Sequence, residues 1–176
     1  MHFIKDELFK HTNRTVFISH LFANYLGLPK EDKNILLLSA KYHDIGKLFI
    51  DDNILYKEGR LTEEEFEIIK MHTWYSHNAL LSTGMFDNKI LESVLLHHER
   101  IDGKGYPIGL KGKDIPETVK VLAICDSYEA MIGERSYREP LTKEEAIKEI
   151  ERNLGTQFDE ELGKEFIKFL LEEKNI

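Results

Sequence analysis

The sequence predicts an all-α fold, a single bundle of about seven helices over residues 1–176, and three observations predict it. Apolar residues recur at three- and four-residue spacing along most of the chain. Thr-x-x-Glu capping patterns and isolated Gly or Pro divide these runs at helix-length intervals. No segment alternates apolar and polar residues convincingly enough to make a strand.

The first helix is predicted from about Ile4 to Leu26, with Leu8, Phe9, Val16, Phe17, Phe22, Tyr25 and Leu26 on its apolar side. Gly27 and Pro29 end it. A second runs from about Lys30 to Asp44 through Ile35-Leu36-Leu37-Leu38, and Gly46 loosens its end. Residues 51–59 read as a polar loop. Thr62 with Glu65 opens a third helix, which runs to about Thr83 with Gly84 beyond it. A fourth spans about Asn88 to His98. Residues 99–115 hold Gly103, Gly105, Gly109, Gly112 and Pro107 and read as a loop. Pro116 starts a fifth helix, to about Gly133. Thr142 with Glu145 caps a sixth, to about Asn153, and Phe158 to Glu173 makes a seventh.

Composition bounds the function. The length of 176 residues suits one domain with a substantial core. Thirty-two acidic residues against 24 basic ones, interspersed, give a net charge of −8. That balance excludes a general binder of polymeric nucleic acid, which needs a basic face. An anionic small molecule can still be held locally by metal ions and a few Arg or Lys. Cys125 is the single cysteine, so no internal disulfide or thiolate zinc cluster forms. Any metal must then be held by imidazole and carboxylate, which suits iron, manganese, nickel, cobalt or zinc. The N-terminus lacks a signal-peptide layout and no apolar run reaches membrane-span length, so the expected location is cytoplasmic, with no membrane association.

Two strings carry the chemistry. His43-Asp44-Ile45-Gly46-Lys47 and His97-His98-Glu99 each follow an apolar run, Leu36-Leu37-Leu38 in one case and Val94-Leu95-Leu96 in the other. A carboxylate beside imidazole near a core is costly without a cation. Asp126, inside Val121-Leu122-Ala123-Ile124-Cys125, poses the same problem, which a metal or an Arg partner would solve. Glu7 and His11 are four apart and share a helix face, as a metal-binding pair or as an ordinary surface pair. His72 lies beside Met71 and Trp74 and reads alone as a packed histidine. His2, His20 and His77 fit no part of the pattern. Inward carboxylates and imidazoles on several helices are a common way to build a polynuclear metal site in a bundle.

In order and spacing these strings resemble the HD-GYP branch of the HD metal-dependent phosphohydrolase superfamily, over nearly the whole chain. The resemblance rests on His11-Thr12-Asn13-Arg14, the His43–Lys47 string, Asn53 to Thr62, Lys70-Met71-His72, and His97-His98-Glu99 with its Asp102-Gly103-Lys104-Gly105-Tyr106-Pro107 loop. It continues through Ala123-Ile124-Cys125-Asp126, Arg135-Ser136-Tyr137-Arg138 and Gly155-Thr156-Gln157-Phe158-Asp159. The resemblance implies an HD-type bundle around two or three divalent ions, often iron or manganese. It implies hydrolysis of cyclic di-GMP to linear pGpG or on to GMP. The ligand set it implies is His11, His43, Asp44, His72, His97, His98 and Asp126, with Asp44 as bridge and Glu7 accompanying a third metal. Three positions depart from the family pattern: Glu129 stands where Asp is frequent, Ser76 where Gly is usual, and Glu160 where Pro is common. None removes an implied ligand, and Glu129 bears on contacts around the ligands and on substrate choice. The family's usual sensory or receiver domain is not expected within these 176 residues.

The expected reaction is in-line attack on phosphorus by a water made acidic between two ions that share Asp44. Lys47 would reach a phosphate oxygen, and Arg135 and Arg138 would clamp a second phosphate. Tyr106 sits in a glycine-rich loop expected to be free to move; it would stack on a guanine, or the Gly103–Pro107 loop would dock a signalling partner. The alternatives are an HD hydrolase of another nucleotide or phosphoester, a non-catalytic cyclic di-GMP receptor, and a di-iron oxygenase.

Overall fold

The computed structural model describes residues 2–134 and 139–173. Among these the chain is all-helical. It forms α1 (His2–Tyr25), α2 (Lys30–Tyr42), α3 (Asp52–Leu55), α4 (Glu63–Lys70), α5 (His72–Leu81), α6 (Asn88–Leu96), α7 (Glu117–Ile132), α8 (Lys143–Arg152) and α9 (Glu160–Glu172). Short 3₁₀ turns cover Ile45–Phe49 and Gly112–Asp114. No strand occurs among the described residues, only an isolated bridge between Leu154 and Phe158.

The caps explain where the helices begin. Thr62 and Glu65 form a reciprocal capping box, and so do Thr142 and Glu145, as the sequence predicts. Asp87 and Asp159 cap α6 and α9 by accepting from Lys89 and Leu162 N–H.

Three boundaries differ from expectation. The helix predicted over 62–83 is two helices, broken at Met71. There the His72 ring and the Thr73 hydroxyl donate to the Ile69 and Lys70 carbonyls, giving the end of α4 acceptors' partners outside the regular ladder. The helix predicted to reach Asp44 ends at Tyr42 and tightens into the 3₁₀ turn. The predicted loop at 51–59 contains α3, started by the Asp51 side chain accepting from Asn53 N–H.

The main core joins α1, α2, α7, α8 and α9. Phe22 is its centre: its ring meets Phe166 edge-on at 4.7 Å and Phe169 at 5.2 Å. Tyr128, Leu36, Leu122 and Ile150 close around them. Each such fully buried side chain contributes about 1.5–3 kcal/mol. A smaller cluster, Ile35, Leu80, Ile90, Leu91 and Val94, fastens α5 and α6 to α2. The arrangement holds α1, α2, α5, α6 and α7 as a rigid frame whose polar residues face one another in the interior. No described helix is long and apolar enough to cross a membrane.

Cys125 lies in this frame with no exposed surface. We expect the native protein to give no reaction with a disulfide reagent such as Ellman's, and one equivalent once unfolded in guanidinium. Reaction of the native thiol at the unfolded rate would show that α7 is not seated as described.

Candidate metal centre

Five segments converge on Asp44. α1 supplies His11 from its middle, and the end of α2 supplies His43 and Asp44. His72 opens α5, His97 caps the end of α6 with His98 after it, and Asp126 projects from α7. All are buried except His98, which is partly so.

Helix ends set the ring orientations. His43, His72 and His97 each donate Nδ1–H to the carbonyl three residues earlier, Ala40 at 2.8 Å, Ile69 at 2.7 Å and Val94 at 2.7 Å. A carbonyl only accepts, so Nδ1 carries the proton and Nε2 faces inward. These carbonyls belong to last turns of helices, where the backbone ladder leaves acceptors over.

The inward atoms form two donor sets on either side of one carboxylate. Asp44 Oδ2 lies 3.4 Å from His11 Nε2 and 3.3 Å from His43 Nε2. Asp126 Oδ1 joins that side, 3.0 Å from His11 Nε2 and 3.4 Å from His43 Nε2. Asp44 Oδ1 turns the other way, 3.4 Å from His72 Nε2 and 4.0 Å from His97 Nε2. His72, His97 and His98 have nitrogens within 4.8 Å of one another, and so do the donor atoms of His11, His43 and Asp126.

These donors fit cations. Asp44 Oδ1 and Asp126 Oδ1 are buried without a hydrogen-bond partner, which is costly for a carboxylate. His72 and His97 bring their Nε2 atoms to 3.3 Å with both Nδ1 protons already committed. Two bare lone pairs at that distance are satisfied together by a shared positive charge. The all-N/O donor set suits a divalent first-row metal.

The electrostatics divide the same way. Burial works against charge on His11 and His43, but the carboxylates outweigh it. Asp126, Asp44 and Glu129 lift His11 well above its ordinary value, and Asp44 with Asp126 lifts His43 to about 9. Burial also opposes the Asp44 and Asp126 charges. Lys47 and His43 nonetheless hold Asp44 well below the usual carboxylate range, and His11 and His43 do so for Asp126. On the other side burial lowers His72 to about 4 and His98 to about 3, and burial with the neighbouring His98 lowers His97. Three neutral imidazoles are the metal-ligating form.

The other expected site residues are placed unevenly. Lys47 Nζ donates to Asp44 Oδ2 at 2.6 Å, at the edge of a cleft that reaches His11 and Asp44. Glu7 lines that cleft but belongs to neither donor set. Tyr106 packs its ring on His98, with centroids 4.7 Å apart, and lines a second cavity with Phe66, Lys70 and Gln157. The Gly103–Pro107 loop, read from sequence as free to move, is fastened at both flanks. Glu99 accepts from the backbone N–H groups of Ile108, Gly109 and Leu110, and Asp102 accepts from Arg100 and from Lys104 N–H. Arg135 and Arg138 lie outside the described residues.

Three residues join the site that the sequence did not single out as functional, Arg14, Tyr56 and Ser76, together with Glu129, which the sequence tied to contacts around the ligands. Glu129 accepts from His11 Nδ1, and Arg14 donates to Glu129 at 2.7 Å. Their signal was present: Arg14 is three after His11, and Glu129 is a second acid three after Asp126 in an apolar helix. Tyr56 lines the cleft beside Lys47. Ser76 donates to the His43 carbonyl at 2.7 Å and accepts from Gly46 N–H at 2.8 Å. Its hydroxyl therefore has a use at a position where the family pattern has glycine.

With this geometry in view, comparison with known proteins is specific. The HD domain family model matches residues 2–162. A cyclic di-GMP phosphodiesterase of Thermotoga maritima is 39% identical over 169 residues, covering 92% of this chain and 44% of its own length. A 3'3'-cGAMP-specific phosphodiesterase 2 of Vibrio cholerae is 33% identical over 153 residues, covering 86% and 29%. Among solved structures, Bd1817, an HDG"Y"P protein from Bdellovibrio bacteriovorus, superposes with a TM-score of 0.75 at 21% identity, covering 92% of this chain and 51% of that one. The chain thus spans less than half the length of these two relatives, and the structural likeness supports the fold.

Proposed function

The chain belongs to the HD domain family, and from that premise we propose that it is a metal-dependent phosphodiesterase hydrolysing cyclic di-GMP to pGpG and onward to GMP. The observation that carries this reading is Asp44, whose two buried oxygens face two separate donor sets. A carboxylate so placed suits a bridge between two cations. Divalent iron or manganese, held by His11, His43 and Asp126 on one side and His72, His97 and His98 on the other, would supply Lewis acidity and a lowered pKa for the attacking water.

The chain's own groups would do the rest. The Nδ1–H bonds keep His11, His43, His72 and His97 aimed inward without reorganisation during the reaction. Lys47 would turn from Asp44 to a nonbridging phosphate oxygen at the cleft, as a compact point charge. Arg135 and Arg138 would hold the second phosphate by bidentate hydrogen bonds. Glu7, at the cleft wall beside His11, would help hold a third ion and so favour the second hydrolysis, from pGpG to GMP. Tyr106 packs against His98, which supports a role beside the substrate base over a contact with a signalling partner. A single buried cysteine fits a cytoplasmic setting.

A second substrate, 3'3'-cGAMP, is suggested by the specificity for which the Vibrio cholerae relative is named. The deciding experiment is a chromatographic time course on anaerobically purified protein reconstituted with iron or manganese. Cyclic di-GMP, 3'3'-cGAMP and cyclic di-AMP are offered in parallel. The expected result is pGpG and then GMP, fastest from cyclic di-GMP. A metal-loaded protein that leaves all three intact overturns the proposal.

A further inference from the structure

The histidines around Asp44 solve one orientation problem in two ways. His43, His72 and His97 lean on left-over carbonyls in the last turn of a helix. His11 cannot, because it sits inside the long uninterrupted helix α1, where each carbonyl is committed to the N–H four residues on. Its acceptor has to come from elsewhere, and it comes from α7 as the Glu129 carboxylate.

The local geometry is specific. Glu129 is 1% exposed and lies one turn beyond Asp126 on the same helix. One turn of α7 therefore grips the His11 ring at both nitrogens. Asp126 Oδ1 stands 3.0 Å from Nε2, and Glu129 Oε2 accepts from Nδ1. The second Glu129 oxygen accepts from Arg14 Nε at 2.7 Å, and Arg14 is one turn beyond His11 on α1. Gly133 leaves the space this pair occupies: a Cβ there would lie 2.7 Å from Glu129 Oε1 and 2.9 Å from an Arg14 guanidinium nitrogen.

We propose that Glu129, fixed by Arg14, is the positioning residue of His11, and that it sets the strength of one cation position while leaving the other alone. The inference rests on the metal-site reading above. A charged acceptor behind an imidazole fixes its tautomer and raises its basicity as a ligand, an effect that typically changes metal affinity 10–100-fold. On the other side His72 and His97 have neutral backbone carbonyls behind them, whereas the Glu129 carboxylate engages His11 and Arg14.

The test is metal binding to the whole chain, with no substrate present. Manganese is titrated by equilibrium dialysis with metal analysis, and zinc-loaded protein gives ¹⁵N histidine spectra that report the His11 tautomer. Wild type is expected to bind at least two ions. Glu129→Gln is expected to weaken one equivalent about 10–100-fold, leave the other unchanged and disturb the His11 signals. Glu129→Asp, which keeps the charge, is expected to recover part of the loss. Arg14→Gln, a change at a half-exposed side chain, is expected to weaken the same equivalent less. The inference is overturned if Glu129→Gln binds like wild type, or if both equivalents weaken together as they would from a general loosening. Wild type binding fewer than two ions would instead overturn the metal-site reading itself.

Discussion

Asp44→Asn is expected to lower the proposed cyclic dinucleotide hydrolysis by at least about 10³-fold, equivalent to roughly 4 kcal/mol of transition-state stabilisation. The amide keeps the volume of the carboxylate but not its symmetry. One end becomes an NH₂ group, and that end must face either His11 and His43 or His72 and His97, since the two oxygens now divide between them. Whichever side it faces loses an anionic donor and gains hydrogens aimed at imidazole nitrogens. The measurement is kcat for cyclic di-GMP beside bound metal per chain. Loss of activity together with loss of at least one ion is the expected pair of results. Activity within tenfold of wild type would show that Asp44 does not join the two donor sets.

How much of this centre could be read from the chain varies with the kind of information. His43-Asp44 and His97-His98 were legible because polar, metal-competent pairs at the ends of apolar runs are hard to accommodate otherwise. The structure brings both pairs together with His11, His72 and Asp126. What the Nδ1 atoms do was not legible, because it depends on where each helix stops. The break at Met71 shows this: continuous apolar spacing and one capping box read as a single helix over 62–83. Yet the stop at Met71 is what lets His72 borrow the Ile69 carbonyl. Glu129 was noticed as a departure from the family pattern, but its use depends on α7 crossing the middle of α1, a tertiary fact. The loop at 99–115 was legible as glycine-rich and misleading as mobile, since nothing local shows that the Glu99 carboxylate gathers three of its backbone N–H groups.

Gly46 carries the same lesson in its sharpest form, and it gives the second large effect. Gly46→Ala is expected to destabilise the protein by about 3 kcal/mol and to weaken metal binding with it. The cause is steric and not conformational, because Gly46 is not among the glycines with positive φ. A Cβ at this position would stand 2.0 Å from the His72 carbonyl oxygen and 2.5 Å from the Ser76 backbone nitrogen. Both are main-chain atoms of α5, so no side-chain rotation relieves the clash. The 3₁₀ turn after Asp44 and the start of α5 would have to separate, and these are the segments that bring Asp44 Oδ1 to His72 Nε2. The Ser76 hydroxyl, which ties Gly46 N–H to the His43 carbonyl, would be strained in the same movement. Ser76→Ala serves as the comparison: it removes the tie without the clash, and should cost about 1–2 kcal/mol. Urea unfolding of the metal-free proteins separates the two, and manganese titration shows whether His72 has moved away from Asp44. If Gly46→Ala unfolds within about 0.5 kcal/mol of wild type, the close approach of α5 to the His-Asp turn is not what requires glycine there.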